Sequence, residues 1–331
     1  MSKLPLDIIS DVFILLPVKT LVRFKCLSKP CCAVIDDPDF TRLHLERSKE
    51  TRSNLNLILK GLNLYTVDFD TLDVAVPIDH PFSIATGTEA FGSCNGLIGL
   101  RNSERFLALF NPSTRKLMKL PTSPIDLPDD SSKSGRGYGV LANGVLHWVL
   151  PPRSEMGWRN MIVGFDLGTE EFTEVPLPDN IDQNFLLDVG VLDGCLCMIC
   201  NYNQVNVEIL VMKRYGLKES WTSLLSIQKA TPTNLVKFLR PLAYSRDRMK
   251  VLLEMDSQKL VWYDLQRKKT RTVKIDGAPD SFSAGIFIGS LISLNDWDEE
   301  HSKKQKEQDK DRKRSGKKRD NFLSEGFKLV L

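Results

Sequence analysis

Histidine is scarce in this chain, which has four histidines among 331 residues. His44, His80, His147 and His301 stand far apart, and none has a companion at the spacing of a metal site or a catalytic triad. His147 lies in a strand-like run, so we expect it to be structural. This scarcity argues against both a metal site and nucleophilic catalysis.

Phosphate-binding and nucleophile motifs are missing as well. The pattern Gly135-x-Gly137-x-Gly139 lacks the strand-to-helix context of a phosphate loop, and no serine elbow occurs. We therefore expect a protein that is not an enzyme and has no active site, metal or cofactor.

The seven cysteines do not suggest a disulfide framework, because their number is odd and their spacing is irregular. Cys195-x-Cys197-x-x-Cys200 looks like half of a metal site, but strand alternation places Cys195 and Cys197 on one face and no second ligand pair follows. We expect reduced thiols that pack in the core.

No hydrophobic run is long enough to span a membrane, and Met1 to Asp7 lacks the charged leader of a signal peptide. We expect a soluble protein of the cytoplasm and nucleus. With 331 residues and 42% hydrophobic content, the chain can bury a large core and should hold more than one domain.

The N-terminal 40 residues have a helical pattern with surplus apolar surface. Pro5 suits a first turn and Pro17 should stop the helix, which predicts a helix from Leu6 to Leu16. A second helix follows, and a third should end near Asp36-Asp37-Pro38.

The first helix presents two apolar stripes, and one is left over after the segment forms its own core. The inner stripe has Leu6, Ile9, Phe13 and Leu16, and the outer stripe has Ile8, Val12 and Leu15. The outer stripe packs either on the rest of the chain or on a partner. A unit of this size is near the lower limit for independent folding, which favours a partner.

Four short motifs resemble the F-box of plant F-box proteins: Leu4-Pro5-x-Asp7-Ile8-Ile9, Leu16-Pro17-Val18-Lys19-Thr20-Leu21, Arg23-Phe24-x-Cys26-x-Ser28-Lys29 and Ile35-x-Asp37-Pro38-x-Phe40. The resemblance implies a helical bundle that docks on a Skp-family adaptor and through it on a cullin. The implied adaptor-binding residues are Pro5, Ile8, Ile9, Val12, Leu15, Pro17, Val18, Leu21 and Cys26. Where the family usually has Ser-Lys-x-Trp, this chain has Ser28-Lys29-Pro30-Cys31.

Beyond residue 50 the pattern changes to short apolar strands separated by turn residues, which is typical of all-β structure. Asn95-Gly96, Asn143-Gly144 and Asp193-Gly194 each precede a buried strand, with their glycines 48 and 50 residues apart.

Second markers end strands at Phe110-Asn111-Pro112, Phe165-Asp166-Leu167, Met212-Lys213 and Tyr263-Asp264-Leu265. A period near 50 favours a kelch-like β-propeller, with a β-sandwich as the alternative.

This half resembles the F-box-associated domain of plant F-box proteins, nearest to those that limit immune-receptor accumulation. The resemblance rests on Gly92 to Ile98, Asn111 to Lys116, Gly139 to Trp148 and Lys259 to Leu265. Between Ser132 and Arg136 the chain lacks about one blade of the family pattern. We therefore expect a smaller or gapped propeller.

Residues 301 to 320 have ten basic and four acidic side chains, so this stretch carries +6 and the remainder of the chain about −3. This is not the pattern of a nucleic-acid-binding domain. The stretch predicts either a flexible loop or a nuclear-import signal formed by Arg312, Lys313, Arg314, Lys317, Lys318 and Arg319. We expect Gly326 to Leu331 to form a strand that pairs with Ile286 to Leu294.

The sequence thus predicts an α+β multidomain fold: an F-box at 1–45, a linker at 46–54 and a propeller at 55–331 with a disordered basic loop at 297–321. The predicted function is the substrate-recognition subunit of an SCF-type ubiquitin ligase, with a target protein such as an immune receptor. Two rivals stay open: an adaptor-binding decoy or scaffold with an impaired substrate face, and an unrelated propeller enzyme.

Overall fold

A computed structural model describes residues 5–61, 63–78, 88–102, 107–120, 139–150, 160–179, 185–202, 206–228, 236 and 238–294. Four helices precede five four-stranded antiparallel sheets, which are the blades of a propeller. The predicted α+β class is confirmed, and the β-sandwich alternative is wrong. Within the described part of the chain, no helix combines the length and apolar character that a membrane crossing requires.

The helices are α1 Leu6–Phe13, α2 Val18–Phe24, α3 Lys29–Asp36 and α4 Pro38–Thr51. The first helix is shorter than predicted. The amides of Leu15 and Leu16 bond three residues back, to Val12 and Phe13, so the last turn tightens before Pro17 instead of continuing as α-helix.

The third helix ends at Asp36, as predicted, and Asp37 then caps α4 by accepting a hydrogen bond from the Phe40 amide at 2.9 Å. The predicted linker at 46–54 is a correction, because α4 continues through most of it. The helix stops at Arg52, whose φ of 55° is left-handed.

Each blade has four strands, counted from the central axis outward. Blade 1 has β20 Ser283–Ile288, β1 Leu55–Lys60, β2 Leu64–Asp68 and β3 Val76–Pro77; blade 2 has β4 Thr88–Cys94, β5 Leu97–Asn102, β6 Leu107–Asn111 and β7 Lys116–Lys119; blade 3 has β8 Val140–Ala142, β9 Val145–Leu150, β10 Met161–Asp166 and β11 Phe172–Val175; blade 4 has β12 Leu186–Leu192, β13 Cys195–Tyr202, β14 Asn206–Met212 and β15 Trp221–Gln228; blade 5 has β16 Leu239–Tyr244, β17 Lys250–Met255, β18 Lys259–Asp264 and β19 Lys269–Val273.

The repeated turns have the predicted roles. Asn95-Gly96, Asn143-Gly144 and Asp193-Gly194 join the first and second strands of blades 2, 3 and 4, with positive φ at both residues of each pair. The second marker is a side-chain turn between the third and fourth strands. Asp166 accepts hydrogen bonds from the amides of Gly168 and Thr169, and Asn111 and Asp264 do the same in their blades.

The ring is closed by the last described strand, because β20 pairs antiparallel with β1 and becomes the inner strand of blade 1. The strand predicted at Ile286 to Leu294 is therefore found at Ser283–Ile288. The predicted strand at 326–331 and the basic loop at 297–321 lie outside the described residues.

Buried apolar clusters join neighbouring blades at four junctions: 1 with 2, 1 with 5, 4 with 5, and 3 with 4. Over the described ranges, no such cluster joins blades 2 and 3. This seam lies where the sequence predicts the missing unit, between Ser132 and Arg136.

A buried ion pair locks the closing strand to blade 5. The Arg240 guanidinium donates to the fully buried Glu254 carboxylate at 2.6 Å, and also to Ser283 Oγ and the Ala284 carbonyl. Glu254 in turn accepts from the Ala284 amide at 3.0 Å. Removal of one member of such a pair leaves the other without its counter-charge.

We therefore expect Glu254→Gln to lower the free energy of unfolding by about 2–4 kcal/mol, since Arg240 loses its only printed carboxylate partner. Glu171→Gln, at an exposed position in the turn before β11, is the matched control. Denaturant unfolding measures both. A difference between the two variants smaller than about 0.5 kcal/mol would contradict a role for this pair in ring closure.

Candidate partner-binding surfaces

The helical part presents an apolar strip to solvent. It comprises Leu6, Ile8 and Val12 of α1 and Leu15 of the following turn, which are 52%, 47%, 51% and 60% exposed. The outer stripe predicted from the sequence therefore does not pack on the rest of this chain. An exposed apolar surface of this kind is typical of a protein-binding site.

The remaining predicted adaptor-binding residues divide into two groups. Pro5, Pro17 and Cys26 are exposed, and Ile9 is half-buried. Val18 and Leu21 are buried in the helical core, which corrects their assignment. Their side chains are covered by neighbouring helices, so they support the strip from beneath and do not present a contact surface.

Two exposed leucines were not predicted as part of this surface. Leu6 was assigned to the inner stripe, but as the first residue of α1 it lies outside the buried cluster. Leu27, in the turn between α2 and α3, is 65% exposed. The sequence signal for Leu27 is a leucine directly before the helix-capping Ser28, in a position where a polar turn residue is common.

The helical core is completed from the far end of the described chain. Phe13, Val18, Leu21, Ile35 and Phe40 form a buried cluster with Leu291, which follows the closing strand β20. Cys31, at the position of the family's usual tryptophan, is only partly buried against this cluster.

A buried histidine supports the turn that carries Leu15. His44 of α4 contacts the Leu16 carbonyl through Nε2 at 2.9 Å, which makes Nε2–H the donor. Burial lowers the pKa of His44 from its ordinary value. In the described part of the chain, its Nδ1 has no hydrogen-bond partner.

Asn54 connects the helices to the propeller. Pro17 has no side-chain group that could cap α2, and the Asn54 Oδ1 accepts the Val18 amide at 3.0 Å instead. The Asn54 Nδ2 donates to Ser48 Oγ of α4, and its carbonyl accepts the Gly289 amide at 2.8 Å. One residue thus links α2, α4 and the end of β20.

The end of α4 lies at one mouth of the propeller channel. The five inner strands line a cavity of about 530 Å³, and Lys49 and Arg52 contribute to the same lining. Lys49 donates to Asn95 of blade 2 at 2.7 Å, and Arg52 lies 3.5 Å from Asp193 of blade 4. The helices therefore occupy the face with the turns between first and second strands.

The opposite face has the connections between blades and between second and third strands. Most of these connections lie outside the described residues, so no substrate-binding residue is assigned to them.

Potentially reactive side chains in the propeller are structural. His147 is buried, with Nδ1 3.2 Å from the Val140 carbonyl and Nε2 2.8 Å from the Tyr215 hydroxyl. Burial raises the pKa of Cys197 and of Cys200 to about 12, so neither thiol ionises near neutral pH. Among the side chains that the structure describes, no group of ligands could hold a metal ion.

A small helical unit with an exposed apolar strip, fixed to one face of a β-propeller, defines a protein-interaction module. Residues 1–43 match the F-box domain, and residues 122–289 match the F-box associated beta propeller domain. The chain belongs to the family of plant F-box proteins with this propeller domain. This combination fits the substrate-recognition subunit of an SCF complex.

Two curated relatives from Arabidopsis thaliana match over the full length of both chains. F-box protein CPR1 is 40% identical, and F-box protein At4g22390 is 34% identical. The alignment with CPR1 spans 413 positions against 331 residues here, so about 80 positions have no counterpart in this chain. Among solved structures, the tricorn protease matches with a TM-score of 0.35 and 12% identity, over 68% of this chain and 22% of that one.

The depressed pKa of His44 predicts a pH-dependent stability. Because the unfolded chain binds more protons than the folded one below about pH 6.5, the free energy of unfolding should fall as the pH is lowered through that value. His44→Gln can keep the hydrogen bond to Leu16 but does not titrate.

Thermal unfolding at pH 7.5 and 5.5 tests this expectation. The melting temperature of the intact chain should fall further than that of His44→Gln, while His147, whose pKa burial also lowers, acts equally in both proteins. Parallel curves for the two proteins would contradict it.

Proposed function

We propose that this protein recruits a target protein to an SCF-type ubiquitin ligase, where the target is ubiquitinated and then degraded by the proteasome. The observation that supports it is the exposed apolar strip Leu6, Ile8, Val12 and Leu15 on an F-box. The strip binds a Skp-type adaptor, which in turn binds a cullin. The free face of the propeller holds the target.

The role of the chain in this proposal is positioning. The F-box is attached to one propeller face through Asn54 and Leu291, so the target and the ligase are held at a fixed separation. Other subunits supply the chemistry, and this chain raises the effective concentration of the target at the ligase.

The resemblance to F-box proteins that limit immune-receptor accumulation supports an immune receptor as target and a role in plant defence. The basic cluster Arg312 to Arg319 supports entry into the nucleus as well as residence in the cytoplasm, and it lies outside the described residues.

The strip alone does not account for a stable complex. Its four side chains are each about half exposed, so their full burial contributes about 3–6 kcal/mol. Association costs about 4–15 kcal/mol in lost freedom. Further contacts around the strip are therefore required.

A second candidate function is an adaptor-binding protein with an impaired substrate face, which acts as a decoy or scaffold. It is favoured by the seam between blades 2 and 3 and by the roughly 80 positions absent relative to CPR1. Capture of a target by the propeller separates the two functions: the decoy binds adaptor and captures none.

The adaptor-binding role predicts that the double substitution Ile8→Asp and Val12→Asp abolishes co-purification with a plant Skp1-type adaptor, because two charges would be buried at the centre of the contact. Leu167→Asp with Leu217→Asp is the matched control, since both leucines are similarly exposed on the propeller. The control should bind as the intact chain does. Equal binding by all three proteins, or no binding by the intact chain, would contradict the proposed function.

A further inference from the structure

A second surface lies directly beside the apolar strip. A groove of about 820 Å³ runs between the F-box and blades 1 and 2. Apolar side chains on its walls include Ile14, Leu16 and Val22 from the helices and Ile78 from the propeller. The groove is therefore large enough, and apolar enough, for a short peptide segment.

The charges on the groove are unbalanced. Five cationic side chains and two acidic ones line it. Both acidic groups are already paired, Asp68 with Lys19 at 3.8 Å and Asp70 with Arg246.

Three arginines are left over: Arg23 of α2, Arg47 of α4 and Arg115 of the turn after β6. Across the described residues, none of the three has an acidic partner within ion-pair distance. The groove therefore favours an anionic occupant.

The groove is continuous with the strip. Leu15 belongs to the strip and also lines the groove, and the exposed Pro17 lines it next to Leu15. A partner seated on Ile8 and Val12 can enter the groove without crossing an intervening polar surface.

Charge argues against the C-terminal segment of the chain as occupant. Residues 301–320 carry +6, so arginines that already lack acidic partners would repel them. A separate protein with acidic residues next to its apolar contact surface fits the groove instead.

We propose that this groove binds an acidic segment of the adaptor whose apolar surface covers the strip. The inference rests on the proposed function and extends it, because it adds Arg23, Arg47 and Arg115 to the interface. Guanidinium groups pair with carboxylates in a bidentate geometry, which gives the contact orientation as well as affinity.

The test measures the dissociation constant between the full chain and a purified plant Skp1-type adaptor at low and high salt. The triple substitution Arg23→Gln, Arg47→Gln and Arg115→Gln should weaken binding about tenfold at low salt, since each exposed ion pair contributes up to about fivefold. Added salt should weaken binding of the intact chain more than that of the triple variant.

A matched triple, Arg214→Gln, Arg267→Gln and Arg271→Gln, changes the net charge equally at exposed propeller positions outside the groove. It should bind the adaptor like the intact chain. Unchanged melting temperatures for both triples would show that each variant is folded.

The outcomes separate this inference from the proposed function. Equal affinities for the two triples would overturn the groove assignment while the F-box still binds its adaptor. A groove triple that alters only the self-association of the chain, measured by light scattering, would assign the groove to a second copy and overturn the proposal. Failure of the intact chain to bind would overturn both.

Discussion

The side chain and backbone of Asn54 connect the parts of this protein. Two prolines, Pro5 and Pro17, start the first two helices without a capping side chain, and Asn54 supplies the missing acceptor for α2. Its φ of 57° suits asparagine, which tolerates the left-handed region better than most residues. The same residue accepts the Gly289 amide, so the helical unit, the chain entering the propeller and the chain leaving it meet at one point.

This connection explains how a helical unit of about 50 residues is held without disulfides or metals. Leu291 follows β20 and completes the helical core, while buried Asn111 of blade 2 donates hydrogen bonds to the carbonyls of Ser290 and Ile292. The surface that remains uncovered is then the strip and the adjoining groove on one side, and the free propeller face on the other. Two separate partners can be bound at once, and this arrangement suits a recognition subunit.

Local patterns in the sequence predicted most of the elements. The turns at Asn95-Gly96 and Asn143-Gly144 and the exposure of Val12 follow from local geometry, because positive φ and helical periodicity depend on few neighbours. The end of α1 at Phe13, the burial of Val18 and the role of Leu291 depend on contacts between distant parts of the chain, which no local pattern encodes. The groove likewise forms only when helices and blades are brought together.

Hydrogen exchange of the variant Asn54→Gly tests the central claim that this residue couples the F-box to the propeller. Glycine adopts the same φ, so the substitution removes only the side-chain bonds to Val18 and Ser48. Loss of a cap predicts about fivefold faster exchange of the α2 amides, and coupling predicts faster exchange of residues 289–294 as well. Faster exchange confined to the first turn of α2, with 289–294 unchanged, would contradict the claim.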